Sequence, residues 1–223
     1  MTDLKNVIEP KRFGELLLTR FTHDIAGPIS AVSNGIDFLM ENKDADDPAS
    51  IDIKNQAVDI IEDSAKQSLA RLQAYRMAYG VVYKADAITH IPEVTDIFKK
   101  YFYKSLIEIR WNSSVPKEIP ANQRQALVCL ILVLSKILVY GGKISVSFAG
   151  ENKNEIIVRG VHERIKDPSI IRSILEDNTQ LQPDVENVIH FYTRSVCDFS
   201  NAKFTFSLEE KESEKHLELK VVF

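Results

Sequence analysis

Apolar residues in the first 83 positions recur at steps of three and four, a spacing typical of helices with one apolar face. From about Glu9-Pro10 to Asn42, seven apolar side chains fall within roughly 40° of one line: Leu18, Phe21, Ile25, Ile29, Val32, Ile36 and Leu39. From about Asp52 to Tyr83 the pattern repeats with Ile53, Ala57, Ile60, Ile61, Ala65, Leu69, Leu72 and Tyr75. Turn-forming polar residues separate the two stretches, so the sequence predicts an antiparallel helical hairpin.

A hairpin of two helices buries too little apolar surface to be stable alone, so its apolar stripe predicts a further partner. The simplest partner is a second copy of the chain, which would complete a dimeric four-helix bundle.

The pattern changes after Tyr83. Helices are predicted at 92–104, 121–139, 168–175 and 184–199, and strands at 107–111, 143–149, 155–160, 203–209 and 216–223. Strands mixed with helices that cover one face predict a two-layer α/β sandwich. We therefore expect two domains, a helical hairpin at 1–83 and an α/β domain at 84–223.

Composition narrows the classes of function. The chain has 223 residues, of which 44% are hydrophobic and 27% charged, as in an ordinary globular protein. A net charge of −4 without a basic run argues against a general nucleic-acid binder. The longest apolar run, 126–139, is too short to span a membrane, and the first residues lack the apolar core of a signal peptide. Cys129 and Cys197, in apolar helical segments, are expected to be buried free thiols, so a cytoplasmic location is expected.

The candidate chemistry lies in the first helix. His23 falls about 160° from the apolar line and therefore faces water. Asp24 follows it, and Pro28 comes five residues after His23. Because proline has no N–H, the carbonyl of Asp24 loses its helical partner, and Gly27 softens the same turn. The helix is therefore expected to bend just after His23.

The residues Phe21-x-His23-Asp24-Ile25-x-x-Pro28-Ile29 resemble the H-box of histidine kinases. The fuller stretch from Arg20 to Ile29, followed by Ser33-Asn34-Gly35-Ile36-Asp37-Phe38-Leu39, resembles more closely the ChpT-type histidine phosphotransferases of alphaproteobacteria. The Gly27-Pro28 and Asn34-Gly35 pairs favour that family over ordinary kinases. The apolar helix that stops at Gly141-Gly142, the Arg159-Gly160 pair and the segment 190–196 resemble the family's second domain.

The resemblance implies a homodimer whose hairpins form a four-helix bundle and whose second domain resembles a histidine-kinase ATP-binding domain without its nucleotide. It implies that His23 accepts a phosphoryl group from the receiver domain of a hybrid histidine kinase and passes it to the aspartates of response regulators. A catalytic role for Asp24 is likewise carried over from the family. No cofactor is expected to be bound, and Mg²⁺ would come with the partner receiver domain.

The helix geometry also suggests where a receiver would dock. Arg20, Gly27, Ser30, Asn34 and Asp37 lie on the same broad side as His23, and the bend at Pro28 would open that surface. We expect these five residues and Pro28 to bind receiver domains, beside second-helix residues around 56–66.

Two other functions remain open from the sequence. A divergent ATP-dependent histidine kinase would need an Asn on a helix for magnesium, an Asp-x-Gly for adenine and a glycine-rich lid. The only Asn of the predicted helix 121–139 is Asn122, at its start. The first predicted β-hairpin is followed by Arg159-Gly-Val-His, where a kinase would have Asp-x-Gly. The glycine-rich lid is also missing, since no glycine occurs between Gly160 and Ser200. We therefore expect no ATP binding. The other alternative is a scaffold that binds receivers without transfer.

Overall fold

Two long helices open the structure, a computed structural model that describes residues 9–44, 47–176 and 181–223. Helix α1 spans Pro10–Glu41 and α2 spans Pro48–Tyr79. Helix α1 is confirmed, whereas α2 begins and ends four residues earlier than predicted. It begins there because the Asp47 side chain accepts a hydrogen bond from the Ser50 N–H and Pro48 occupies the first turn. It ends at Gly80, whose backbone is extended.

The two helices form the predicted antiparallel hairpin, and their close approach explains a glycine of α1. A Cβ at Gly35 would lie 2.6 Å from the Ile61 side chain of α2. Nearer the open end of the hairpin, the rings of Phe21 and Tyr75 pack with centroids 5.5 Å apart. These contacts fix how α1 and α2 are aligned along their length, and therefore which residues of α2 lie near His23.

The remainder of the chain is the predicted mixture of helices and strands. The helices are α3 (Ile91–Tyr101), α4 (Ala121–Ile137), α5 (Ser169–Leu175) and α6 (Val188–Phe199). The strands are β1 (Ile88–His90), β2 (Ile107–Trp111), β3 (Glu118–Pro120), β4 (Gly142–Ala149), β5 (Glu155–His162), β6 (Lys203–Lys211) and β7 (Glu214–Val222).

The main sheet has five strands in the order β2-β4-β5-β7-β6, and one face of it is covered by helices, which confirms the two-layer arrangement. Strands β2 and β4 are parallel and the other pairs are antiparallel. The sequence missed β1 and β3, which form a separate two-stranded sheet. At three residues each, they are too short to show a periodic pattern.

Helix α4 is the centre of the core. Eleven of its 17 residues are buried. Gly160 of β5 lets the sheet approach it closely, since a Cβ there would lie 3.1 Å from Leu134 and from Leu138. Cys129 of α4 and Cys197 of α6 are buried and free, as predicted. Within the described residues, no helix is both long and apolar enough to cross a membrane.

The open end of the hairpin packs directly against the second half of the chain. Leu16, Tyr75 and Ala78 belong to the same apolar cluster as α4. The Gln125 amide of α4 donates to the carbonyl oxygens of Ala78, at 2.8 Å, and Gly80, at 3.3 Å. The core is therefore continuous between the hairpin and the α/β layers, and α4 lies at a fixed position relative to His23.

Candidate functional site

His23 presents its imidazole to solvent. Its side chain is 76% exposed, on the helix side that the sequence predicted. Its Nδ1 lies 3.5 Å from Oδ1 of Asp24, so the neighbouring carboxylate reaches the ring even though the two residues are consecutive. The exposed imidazole therefore has a carboxylate beside one nitrogen and can offer the other to a docked partner.

Asp24, by contrast, is 9% exposed and is held from three different helices. Its Oδ2 accepts hydrogen bonds from Arg20 Nε of α1 at 3.2 Å, from the Tyr75 hydroxyl of α2 at 2.7 Å and from Lys136 Nζ of α4 at 3.0 Å. All three donors bind the same oxygen, which leaves Oδ1 directed at His23. A buried carboxylate needs such partners because burial without them carries a large free-energy cost.

These partners keep Asp24 ionised. Burial raises the pKa of the carboxyl, but the Lys136 charge, the hydrogen bonds from Tyr75 and Lys136 and the Arg20 charge outweigh it and lower the pKa to about 2. The site therefore carries a fixed negative charge beside the imidazole at neutral pH.

The carbonyl oxygen that Pro28 deprives of its helical partner is satisfied from the second helix. Arg71 donates from Nη1 to the backbone oxygen of Asp24 at 2.6 Å. This bond replaces the missing N–H of the proline and ties α2 to α1 one residue after His23.

Most of the residues that the sequence assigned to docking lie on the surface, while one does not. Gly27, Ser30, Asn34 and Asp37 are exposed and Pro28 is half-buried. The Arg20 side chain is only 12% exposed and turns inward to the Asp24 carboxylate. The structure thus places Arg20 with Asp24, while Gly27, Ser30, Asn34 and Asp37 remain on the surface along α1.

Three residues of the site were missed by sequence reasoning, namely Arg71, Tyr75 and Lys136. In the sequence, Tyr75 belongs to the apolar pattern of the second predicted helix. No role for Arg71 or Lys136 is predicted from the sequence. A lysine near the end of a predominantly apolar helix is the signal in the sequence that indicates an anionic partner for Lys136.

Comparison with known proteins supports a relationship over nearly the whole chain. A family profile described as the histidine phosphotransferase C-terminal domain matches residues 91–212. The protein phosphotransferase ChpT of Brucella abortus (strain 2308) is 25% identical over 194 residues, which cover 86% of this chain and 88% of that protein.

The structural comparisons agree with the fold. A solved structure of a bacterial phosphotransferase has a TM-score of 0.76 at 22% identity and covers 95% of this chain and 97% of its own. The catalytic domain of histidine kinase ThkA covers 61% of this chain and 95% of its own, with 11% identity and a TM-score of 0.42, a likeness too remote to indicate function. The family profile spans more than half of the chain, and the chain therefore belongs to the histidine phosphotransferase family.

Proposed function

We propose that this protein is a histidine phosphotransferase of a bacterial, cytoplasmic multistep phosphorelay. It takes a phosphoryl group from the receiver domain of a hybrid histidine kinase onto His23 and passes it to the aspartates of response regulators. The observation that carries the proposal is an exposed imidazole whose Nδ1 faces a buried, ionised carboxylate.

The chemistry follows from that pairing. With the ring proton on Nδ1 and facing Asp24 Oδ1, the Nε2 lone pair attacks the phosphorus of the receiver's aspartyl phosphate. The N–P bond forms, the P–O bond to the receiver breaks, and the receiver's aspartate leaves as a carboxylate. The ring gains positive charge, which the Asp24 carboxylate stabilises in place. The reverse step returns the group to another receiver.

The surface around His23 suits a receiver domain as the partner. Gly27, Ser30, Asn34 and Asp37 are exposed along the same side of α1, and their small or short side chains allow close approach. In this proposal the receiver brings the Mg²⁺ ion in its own acidic site. The hairpin supplies only the nucleophile and its carboxylate, and no bound cofactor or ATP takes part.

We further propose that the working unit is a homodimer in which two hairpins form a four-helix bundle. One stripe of α1 that no described part of the chain covers comprises Leu18, Ile29, Ile36 and Met40. A matching stripe of α2 comprises Ile51, Val58, Leu69 and Leu72. Leu18 and Leu72 line a common groove between the two helices, so the stripes meet on one side of the hairpin. An apolar surface of this kind favours association with a second copy.

Phosphoryl labelling tests the proposal. Purified protein and its His23→Ala variant are incubated with radiolabelled ATP and magnesium, and separately with a radiolabelled phospho-receiver from a hybrid kinase. We expect acid-labile label on the unaltered protein from the receiver alone and none on the variant. The control is His90→Ala, which removes another exposed histidine, one that contacts Glu118 in the second domain, and should label normally.

The other outcomes exclude the proposal in different ways. Label transferred directly from ATP would identify a divergent kinase. Binding of the cognate receiver without label from either source would identify a scaffold. Label that persists in His23→Ala would place the phosphoryl group on another residue.

A further inference from the structure

Lys136 is a charged residue at the end of the most buried helix of the protein. It lies in the last turn of α4, where Ile131, Leu132, Val133 and Leu134 before it and Ile137 after it are fully buried. Its side chain is 29% exposed, and burial lowers the pKa of its ammonium, with Asp24 acting in the opposite direction. A lysine that is largely buried lowers the stability of the fold unless an opposite charge pairs with its ammonium group.

Its partner is the carboxylate beside the candidate nucleophile. Lys136 Nζ lies 3.0 Å from Asp24 Oδ2, and Asp24 Oδ1 lies 3.5 Å from His23 Nδ1. Arg20 and Tyr75 hold the same Oδ2 from the hairpin, but Lys136 reaches it from 112 residues further along the chain. The α/β half of the protein thus supplies one of the three donors that orient the carboxylate.

We propose that Lys136 is a positioning residue for phosphoryl transfer: its ammonium fixes Oδ2 of Asp24, so that Oδ1 stays directed at the His23 ring. This proposal rests on the proposed function and assigns the second half of the chain a part in the chemistry. The ammonium acts through Asp24 and forms no bond to the phosphoryl group.

The electrostatics of the pocket agree with that geometry. Burial is the largest influence on the pKa of Asp24 and raises it. The Lys136 charge is the second largest influence and lowers this pKa. Charged and titratable groups from five helices and from the segment before α6 interact with Asp24 or with its cationic partners. They are Arg20 and His23 of α1, Arg71, Tyr75 and Tyr79 of α2, Tyr101 of α3, Lys136 of α4, His190 of α6, and Glu186 before α6. Burial lowers the pKa of His190 to about 4, so this ring is neutral near pH 7 and does not replace the lysine charge.

The experiment compares Lys136→Met, Lys136→Arg and Lys136→Gln with the unaltered protein. The rate of transfer from a saturating radiolabelled phospho-receiver is measured together with a ¹³C NMR titration of the Asp24 carboxyl. We expect Lys136→Met to slow transfer by at least about tenfold and to raise the pKa of Asp24, and Lys136→Arg to restore both. Lys136→Gln keeps a donor without the charge, and it covers the case in which the methionine variant does not fold.

The control is Lys100→Met, which removes an exposed lysine of α3 that pairs with Asp96 and should change neither measurement. Normal transfer by folded Lys136→Met or Lys136→Gln would overturn the proposal. Slow transfer together with an unchanged pKa of Asp24 would also overturn it. So would a variant that binds the receiver more weakly but transfers at the normal rate when the receiver is saturating. Failure of the proposed function is distinguishable, because then the unaltered protein and His23→Ala would label alike.

Discussion

The Tyr75 hydroxyl donates a hydrogen bond of 2.7 Å to Asp24 Oδ2 and so connects the C-terminal end of α2 to the residue after His23. Burial raises the pKa of this tyrosine well above its usual range, and the Asp24 charge adds to the effect, so it acts as a donor throughout the physiological range. Its ring packs against Phe21 and Tyr79. The same side chain therefore stabilises the hairpin and orients the carboxylate of the site.

Tyr75→Phe keeps the ring contacts and removes only the hydroxyl. We expect it to lower the free energy of unfolding by about 1–3 kcal/mol, because a buried carboxylate loses one of its donors. Urea unfolding measures the change. Tyr83→Phe is the control, since Tyr83 is 92% exposed and its hydroxyl should contribute less than about 0.5 kcal/mol. Equal stability of the two variants would contradict a structural role for this hydrogen bond.

The lowered pKa of Asp24 predicts a pH dependence of stability. The carboxyl titrates near 2 in the folded protein, against 3.8 normally, so the folded state favours its ionised form. This contribution, about 2 kcal/mol, is fully present above pH 4 and is lost as the pH falls from about 4 to 2. In Asp24→Asn this loss of stability between about pH 4 and 2 should be absent. The free energy of unfolding of both proteins is measured from pH 7 downward. The same dependence on pH in the two proteins would contradict the prediction.

The hydrogen bond from Arg71 to the Asp24 carbonyl should depend on Pro28. Arg71→Met removes the donor to a carbonyl that has no helical partner, so we expect a loss of about 1–3 kcal/mol in the free energy of unfolding. Pro28→Ala supplies a backbone N–H to the same oxygen. In the Pro28→Ala protein, Arg71→Met should therefore lower the free energy of unfolding by less than it does in the unaltered protein. A double-mutant cycle should give a coupling of at least about 0.5 kcal/mol between the two substitutions. Additive effects would show that Arg71 stabilises the hairpin in another way.

The hairpin was predictable because its signal is local. Apolar residues spaced three and four positions apart predict the helices. The start of α2 is explained by Asp47, which caps the helix, and by Pro48 in its first turn. The exposure of His23 followed from helix geometry alone. The strand at 107–111 was also confirmed to the residue, since its alternation is confined to five positions.

The surroundings of Asp24 were not predictable because they depend on long-range packing. Tyr75 lies 51 positions from Asp24 in the sequence and Lys136 lies 112 positions away. Periodicity places Tyr75 on the apolar face and says nothing about its hydroxyl. The inward turn of Arg20 has the same cause, because a residue at the edge of a helix face takes its direction from the charge it meets in the folded protein.

The surface beside His23 gives a prediction about docking. Ser30→Arg with Asn34→Arg adds two long charged side chains to the exposed side of α1 and should block phosphoryl transfer by steric exclusion. Thr205→Arg with Ser207→Arg, at exposed positions of β6, adds the same charge elsewhere and should leave transfer unchanged. Receiver-dependent labelling is measured for both, with circular dichroism as the check of folding. Normal labelling of the α1 variant would contradict docking at this surface.

The apolar stripes of the hairpin predict the oligomeric state and the side on which two copies meet. By light scattering the unaltered protein should have twice the 25.3 kDa mass of one chain. Leu69→Glu places a charge within the proposed interface, where its desolvation is costly, and should shift the mass at micromolar concentration to that of one chain. Ile60→Glu is the matched control: Ile60 is equally exposed, at 54% against 55%, but lies about 180° away from Leu69 around α2 and should leave the dimer intact. A monomeric unaltered protein would contradict the dimer, and dissociation by Ile60→Glu instead of Leu69→Glu would place the interface on the opposite side of α2.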